Sequence, residues 1–121
     1  MAQFHGHALI IEDEVLIAME IEQHLQDLGF ETFDLAESPA RALSSATART
    51  PDLITADYRI IGGTGLEAVR AITAMLGPLP TVYITGNVEI VEKAGAGPIV
   101  DKPISQARLR AACAEACRAC A

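Results

Sequence analysis

The sequence predicts a single α/β domain in which a five-stranded parallel sheet carries helices on both faces. Short apolar runs with strand character alternate with amphipathic helical segments in units of about 25 residues, the pattern of parallel strands joined by helical crossovers. The chain has 121 residues, half of them hydrophobic, which is enough for one buried core. Two of the predicted strands also end directly on carboxylates, Glu12-Asp13 and Asp57, and this repetition points to a site at one edge of the sheet.

The composition indicates where the protein is located and what kinds of partner it has. No stretch approaches the roughly 18 to 20 apolar residues of a membrane span, and residues 1–7 lack the basic and apolar parts of a secretion signal, so we expect a cytoplasmic protein with no membrane partner. The net charge of −7 disfavours nucleic acid and favours a protein or a cation as partner. With helices and strands assigned along the chain, we expect residues 1–121 to be one domain without an output domain.

The first half of the chain contains two strand–helix units. An apolar strand ends at Ile11, and a helix over 14–28 follows it, with its charged residues outward. A second strand is predicted over 30–36. Ser38 is typical of a helix N-cap and Pro39 of the first helical position, so a second helix is expected to run to about residue 48.

The second half continues the alternation. A third strand is predicted over 52–56 and ends on Asp57, and a glycine-rich loop at 61–65 leads into a helix that Gly77 ends. The fourth and fifth strands are predicted over 81–85 and 98–101. The fourth helix has room only between residues 88 and 94, so it is predicted to be short or frayed.

Five reactive side chains follow the strands of this predicted sheet: Glu12, Asp13, Asp57, Thr85 and Lys102. In parallel sheets of this type, functional groups gather at the carboxyl ends of the strands. Three carboxylates that lie close together repel one another, so a shared divalent cation is expected, and their hard oxygens favour Mg²⁺. A lysine and a threonine opposite them suit a phosphoryl group, which would make Asp57 a nucleophile that forms an aspartyl-phosphate.

These residues, in this order and on these elements, resemble the receiver domain of response regulators, the phosphoacceptor of two-component signalling. The resemblance covers the whole chain and rests on the Glu12-Asp13 pair, Asp57, Thr85 and Lys102-Pro103. It implies a flavodoxin-like strand order 2-1-3-4-5 and a single-domain phosphorylation switch rather than an enzyme. The phosphoryl donor would be a sensor histidine kinase or phosphotransfer protein, and an unknown downstream protein would read the output.

The resemblance also implies a role for each site residue. Mg²⁺ would be held by Glu12, Asp13, Asp57 and the backbone carbonyl of Arg59. Asp57 would be phosphorylated, and Thr85 and Lys102 would bind the phosphoryl oxygens. Side chains two positions after the phosphoacceptor and after the threonine, Arg59 and Asn87, would tune hydrolysis of the phosphoryl group.

Two local features refine the resemblance. Residues 80–86, PTVYITG, resemble the signature of the FAT GUY subgroup of receivers, although Thr81 and Ile84 depart from it. Receivers usually carry Tyr or Phe three residues before the lysine, where this chain has Ile99. The usual switch, in which that ring swings inward as the threonine engages phosphate, cannot operate unaltered here. Thr85 and Ile99 are therefore the predicted switch positions.

A small Mg²⁺-dependent phosphatase with an aspartyl nucleophile is the alternative function, but its Asp-x-Asp signature would need an acid at Arg59. Residues 63–68 match the dinucleotide fingerprint G-x-G-x-x-A without its context, so a plain glycine loop is expected. The spacing Cys113-x3-Cys117-x2-Cys120 matches an iron–sulfur loop but lies in a helical sequence, so the three thiols are expected to be small buried or half-buried packing residues. The three histidines are predicted at the surface.

Overall fold

The structure, a computed structural model, describes residues 4–120 and has one main sheet between two layers of helices. The strands are β1 His7–Ile11, β2 Thr32–Ala36, β3 Leu53–Ala56, β4 Arg59–Ile60, β5 Gly63–Thr64, β6 Thr81–Thr85 and β7 Ile99–Asp101. The helices are α1 Val15–Leu28, α2 Pro39–Ala48, α3 Gly65–Leu76, α4 Val88–Lys93 and α5 Gln106–Ala119. None of the helices in this described part of the chain is long and apolar enough to cross a membrane.

The main sheet is parallel throughout and has the order β2-β1-β3-β6-β7. This confirms the predicted order 2-1-3-4-5, because β4 and β5 form a separate ribbon and β6 and β7 are the predicted fourth and fifth strands. In the register, Ile11 lies opposite both Ala36 and Ala56, and Thr85 lies opposite Asp101. The strand ends that carry the predicted site therefore meet at one edge.

Both faces of the sheet are buried, which explains why the central strands are apolar without alternation. Every residue of β1 is buried. Residues that point to opposite faces belong to two separate cores. One core packs the sheet against α1 and α5 and includes Ile10, Ile21, Leu25, Leu53, Ile84 and Leu109. The other packs it against α2, α3 and α4 and includes Leu9, Ile54, Leu66, Ile72 and Val91.

Sequence signals placed most helix ends within a residue or two. Ser38 caps α2 by accepting a hydrogen bond from the Arg41 backbone N–H at 3.2 Å, as predicted. Glu14, predicted to open the first helix, occupies the position before it and makes no side-chain cap. The fourth helix is short, as predicted, with six residues.

The loop predicted at 61–65 has more structure than its glycines indicate. Arg59 pairs with Thr64, and Ile60 with Gly63, in a two-stranded antiparallel ribbon. The Thr64 hydroxyl then accepts a hydrogen bond from the Glu67 backbone N–H at 3.1 Å and caps α3. Two-residue strands are too short to leave a periodic pattern, so the sequence shows only the glycines.

The prediction of surface histidines is wrong for His7. Its side chain is buried at the start of β1, where Nδ1 lies 2.8 Å from Thr32 Oγ1 and Nε2 lies 2.9 Å from Asp34 Oδ2. Both partners come from the neighbouring strand β2, so they satisfy the ring nitrogens without water. Asp52, predicted to begin the third strand, instead precedes β3 and accepts a hydrogen bond from the His7 backbone N–H at 2.8 Å.

The three cysteines lie on α5 and at its C-terminal end, in helix rather than in a cluster-binding loop. Cys113 is fully buried in the core, where burial, with a smaller contribution from Cys117, raises its pKa to about 12. Cys117 is half-buried and packs beside it. The packing interpretation is confirmed for these two residues but is wrong for Cys120, which is exposed.

Candidate functional site

The site lies at the carboxyl edge of the sheet, where three predicted side chains meet. Lys102 follows β7, and its Nζ lies 2.9 Å from Asp57 Oδ2 and 3.1 Å from Glu12 Oε1. Asp57 follows β3, and Glu12 follows β1, the strand next to β3 in the sheet. The lysine reaches both carboxylates because β7 ends at the same edge. Residues from positions 12, 57 and 102 of the sequence thus form one charged cluster.

Asp57 is held so that one carboxylate oxygen faces the lysine. Its Oδ1 accepts a hydrogen bond from the Tyr58 backbone N–H at 2.7 Å, while Oδ2 faces Lys102. Its own N–H donates to the Ile11 carbonyl at 3.0 Å, which continues the β1–β3 ladder and fixes the backbone. The side chain is 12% exposed. Asp57 is therefore oriented by the fold yet still reachable from solvent.

Glu12 is enclosed. Its side chain has no exposed surface, and its Oε2 accepts a hydrogen bond from the Glu14 backbone N–H at 3.2 Å. Burial raises the pKa of Glu12, although the hydrogen bonds from Glu14 and Lys102 oppose that rise. Burial lowers the pKa of Lys102, but the hydrogen bonds and charges of Asp57 and Glu12 outweigh it and raise the pKa overall. Lys102 therefore stays protonated.

Thr85 connects the site to α4. Its side chain is fully buried at the end of β6, and its Oγ1 accepts a hydrogen bond from the Asn87 backbone N–H at 2.9 Å. A hydroxyl that accepts one hydrogen bond keeps its own proton to donate. Asn87 is the residue immediately before α4. A group that binds the Thr85 hydroxyl thus acts on the backbone at the start of that helix.

The predicted metal ligands are only partly assembled. Asp13 is half-exposed, and within residues 4–120 its carboxylate makes no hydrogen bond or ion pair. Across the same residues, no group of three or more His, Cys, Asp or Glu side chains is arranged to hold a metal ion. Asp13 and Asp57 supply the hard oxygen ligands that Mg²⁺ prefers, and Mg²⁺ commonly uses one or two carboxylates and retains several waters. The chemistry of these two residues fits the ion, and Lys102 pairs with Glu12 and Asp57 in the same cluster.

The remaining predicted positions surround the cluster. Arg59 is exposed on β4, and Asn87 is half-exposed. Ile99 is half-buried on β7, lies opposite Tyr83 of β6 in the register and packs against the core under α2 and α3. The position at which receivers usually carry a mobile aromatic ring is thus part of the packed sheet here.

Gly65 is a site residue that sequence reasoning missed. Its backbone N–H donates to the Tyr58 carbonyl at 2.8 Å, and a Cβ built on it would lie 1.9 Å from the Asp57 backbone oxygen. Only glycine therefore lets α3 begin this close to the Asp57 backbone. The sequence signal for Gly65 was its place as the second glycine of the 63–68 motif. In the structure this glycine lies against the Asp57 backbone instead of a nucleotide.

We expect Gly65→Ala to destabilise the fold by about 1 to 3 kcal/mol, because the new methyl group must displace the Asp57 backbone. Uptake of phosphate at Asp57 should fall with it. Chemical denaturation and labelling with a small phosphodonor measure the two effects. Gly86→Ala is the matched control: it lies at the same edge, and its added Cβ would meet nothing within 4 Å. Equal stability of the two variants would contradict the close-approach argument.

The sequence matches the family model for the response regulator receiver domain over residues 8–114. The chain therefore belongs to the response regulator receiver domain family, which confirms the resemblance seen in the motifs. The closer likeness of residues 80–86 to the FAT GUY subgroup stays a prediction.

Similar curated proteins are response regulators. The KDP operon transcriptional regulatory protein KdpE of Escherichia coli is 33% identical over 115 residues, which make up 88% of this chain and 50% of KdpE. The phyllosphere-induced regulator PhyR of Methylorubrum extorquens is 32% identical over 113 residues, 89% of this chain and 42% of PhyR. The chain thus spans half, or less than half, of the length of these relatives.

Solved structures agree on the fold. The receiver domain of NtrX from Brucella abortus superposes with a TM-score of 0.81 at 30% identity, covering 92% of this chain and 98% of that one. The response regulator PhyR from the same organism gives 0.83 at 28% identity, covering 97% and 49%. Chemotaxis protein CheY4 of Vibrio cholerae gives 0.79 at 22% identity, covering 93% and 99%, and supports the fold alone.

Proposed function

We propose that this receiver domain accepts a phosphoryl group on Asp57 in a Mg²⁺-dependent reaction and signals through contact with another protein. The observation that carries the proposal is the 2.9 Å contact between Lys102 Nζ and Asp57 Oδ2. It places a fixed positive charge beside a carboxylate that is oriented and reachable, which is what an acceptor of an anionic group requires.

The site residues divide the chemistry among them. The Asp57 oxygen that faces Lys102 attacks phosphorus, the bond to the donor nitrogen breaks, and an acyl phosphate forms. Lys102 neutralises charge on the transferred group, and the Thr85 hydroxyl donates to one of its oxygens. Asp13, Asp57 and the Arg59 carbonyl would hold Mg²⁺, which supplies charge neutralisation during transfer.

The phosphoryl donor and the downstream partner are also part of this proposal. A sensor histidine kinase or phosphotransfer protein would supply the phosphoryl group as phosphohistidine, in a cytoplasmic setting without nucleic acid. One of the similar structures is the anti-anti-sigma factor PhyR from Bartonella quintana. A protein partner for the output suits this acidic chain. No observation favours the phosphatase alternative, and Arg59 stands where its second acid would be.

Incubation with acetyl phosphate and Mg²⁺, followed by intact mass analysis, tests the proposal. We expect a gain of one phosphoryl group per chain that depends on Mg²⁺, with the modified peptide containing Asp57. Omission of Mg²⁺ should leave the mass unchanged. Steady release of phosphate over many turnovers, without a phosphorylated species that accumulates, would instead indicate a phosphatase.

The lifetime of the phosphoryl group should depend on Arg59 and Asn87. Arg59 is exposed next to the acceptor loop, so its guanidinium can shield the phosphoryl group, and Asn87 can orient a water for attack. We expect Arg59→Ala and Asn87→Ala to change the rate of dephosphorylation more than the amount of phosphate taken up. Following the decay of the labelled protein by mass measures both. The same half-life in both variants and the parent would remove this role.

A further inference from the structure

We propose that Cys117 and Cys120 form a thiol–disulfide exchange site, at which a small disulfide of the glutathione type oxidises the two thiols to an intramolecular disulfide. The pair lies at the C-terminal end of α5, whose 14 residues span about 20 Å. Cys117 lies there beside residues that precede the first three strands of the sheet, whereas Asp57 follows a strand. The exchange site is therefore at the opposite edge from Asp57 and independent of the proposed function.

The spacing of the two cysteines suits a disulfide. Residues three apart on a helix are neighbours on its surface, with Cβ atoms about 5 to 6 Å apart, and a disulfide joins Cβ atoms about 3.5 to 4.5 Å apart. Cys120 comes directly after Ala119, the last helical residue, with φ −103° and ψ 1°. A small rotation of this terminal residue can close the remaining distance, and α5 does not have to unfold.

Both thiols can be reached from solvent. Cys120 is exposed, and Cys117 is half-buried and lines a surface cavity of about 320 Å³ together with Phe4, Phe30 and Asp52. The two thiols also sense each other, because burial first, and then the charge of Cys120, raises the pKa of Cys117. The cavity gives the Cys117 thiol room to react at its own position in the packed helix.

Cys113 is kept out of the exchange by burial. Its side chain is fully buried, and this burial is the main reason why its pKa is raised to about 12. The thiolate is the species that attacks a disulfide, so a thiol that is enclosed and stays protonated does not react. Cys113 therefore serves as an internal control in the same helix.

The exchange takes place in two balanced steps. The exposed Cys120 thiolate attacks one sulfur of glutathione disulfide, the bond between the two sulfurs breaks, and one glutathione leaves and takes up a proton. The Cys117 thiolate then attacks Cys120 Sγ and releases the second glutathione in the same way. Two cysteine thiols are thereby oxidised to a disulfide, and one glutathione disulfide is reduced to two thiols. Attachment of glutathione to Cys120 removes one of the charges that raise the pKa of Cys117, which favours the second step.

Incubation of the reduced protein with glutathione disulfide, followed by an acid quench and intact mass analysis, tests the proposal. We expect the parent to lose the mass of two hydrogen atoms. Cys117→Ser should stop after the first step and gain the mass of one glutathione. Cys120→Ser should react more slowly than the parent by about tenfold or more, because the exposed thiol is gone.

Cys113→Ala is the matched control and should behave as the parent does. Trypsin cleaves after Arg118, between the two cysteines of the pair, so its peptides stay joined only where Cys120 is in a disulfide. In Cys113→Ala those joined peptides can come only from a bond between Cys117 and Cys120. They should disappear when a thiol reductant is added before digestion.

A parent that keeps all three thiols, or that carries glutathione on Cys120 without closing the disulfide, would overturn the inference. So would a disulfide that includes Cys113 in the folded protein, or one that joins two chains through Cys120. In urea, where the chain is unfolded, Cys113 should react with glutathione disulfide as well. Equal reactivity of Cys113 in the folded and the unfolded protein would contradict its exclusion by burial. None of these measurements involves phosphate, so a failure of the proposed function would leave them unchanged.

Discussion

Asp57→Asn should abolish phosphate uptake and leave the fold intact. The amide keeps the shape of the side chain but removes the nucleophilic carboxylate. Its carbonyl oxygen can still accept the Tyr58 backbone N–H, which Asp57 Oδ1 binds at 2.7 Å. Lys102 loses one of its two carboxylate partners and keeps Glu12. The loss of that pair is partly offset, because the charge of Asp57 also raises the pKa of buried Glu12.

Intact mass after incubation with acetyl phosphate and Mg²⁺ measures the first effect, and chemical denaturation measures the second. We expect no labelling and a free energy of unfolding within about 1 kcal/mol of the parent. Asp101→Asn is the control, because Asp101 is an exposed aspartate at the same edge of the sheet, opposite Thr85 in the register. It should label normally. Labelling of Asp57→Asn to the parental level would refute the assignment of the phosphoacceptor.

Sequence reasoning predicted the fold where the signals were long and periodic. The apolar strands and the amphipathic helices each involve several residues that agree on one structure, and Ser38-Pro39 marks the start of α2. The ribbon of β4 and β5 went unpredicted because each strand has two residues. His7 was misplaced because its partners, Thr32 and Asp34, are distant in sequence and meet it only through strand pairing.

The sequence predicted which residues form the site but not which of them pair with one another. Strand ends identified Glu12, Asp57, Thr85 and Lys102, because parallel topology brings such ends to one edge. The sequence treats Glu12 and Asp13 as an equivalent acidic pair, yet neighbouring residues at a strand end point in different directions. One side chain is enclosed against Lys102, and the other is half-exposed. That difference depends on burial, which no local pattern reports.

Thr85 connects the site to the start of α4 through hydrogen bonds. Its hydroxyl joins the strand end to the Asn87 backbone, while the lysine backbone N–H donates to the Thr85 carbonyl at 3.3 Å. The end of β6 and the start of α4 are therefore one hydrogen-bonded unit. With Ile99 packed in the sheet, no ring is available at that position to relay a change, so we expect the segment after Thr85 to respond.

We expect phosphorylation to order residues 86–98 further instead of rotating an aromatic side chain. Within this segment α4 has six residues, too few to be stable alone, and Val91 is its one fully buried side chain among the described residues. Glycines at 86, 95 and 97 flank it and raise the entropic cost of order. The free energy of ordering should therefore lie near zero, and a hydrogen bond from Thr85 to the phosphoryl group can shift it.

Amide hydrogen exchange with and without beryllofluoride and Mg²⁺, a mimic of the phosphorylated state, decides the question. Exchange over residues 86–98 should slow by about tenfold or more, well beyond the change elsewhere in the chain. Thr85→Val is the control, because it fills the same buried space but has no hydroxyl, so the mimic should no longer protect the segment. Strong protection in the free protein, or none with the mimic, would place the switch elsewhere. An equal gain in Thr85→Val would show that the ordering does not pass through the hydroxyl, since that variant keeps Asp57 and Lys102 but breaks the bond to the Asn87 backbone.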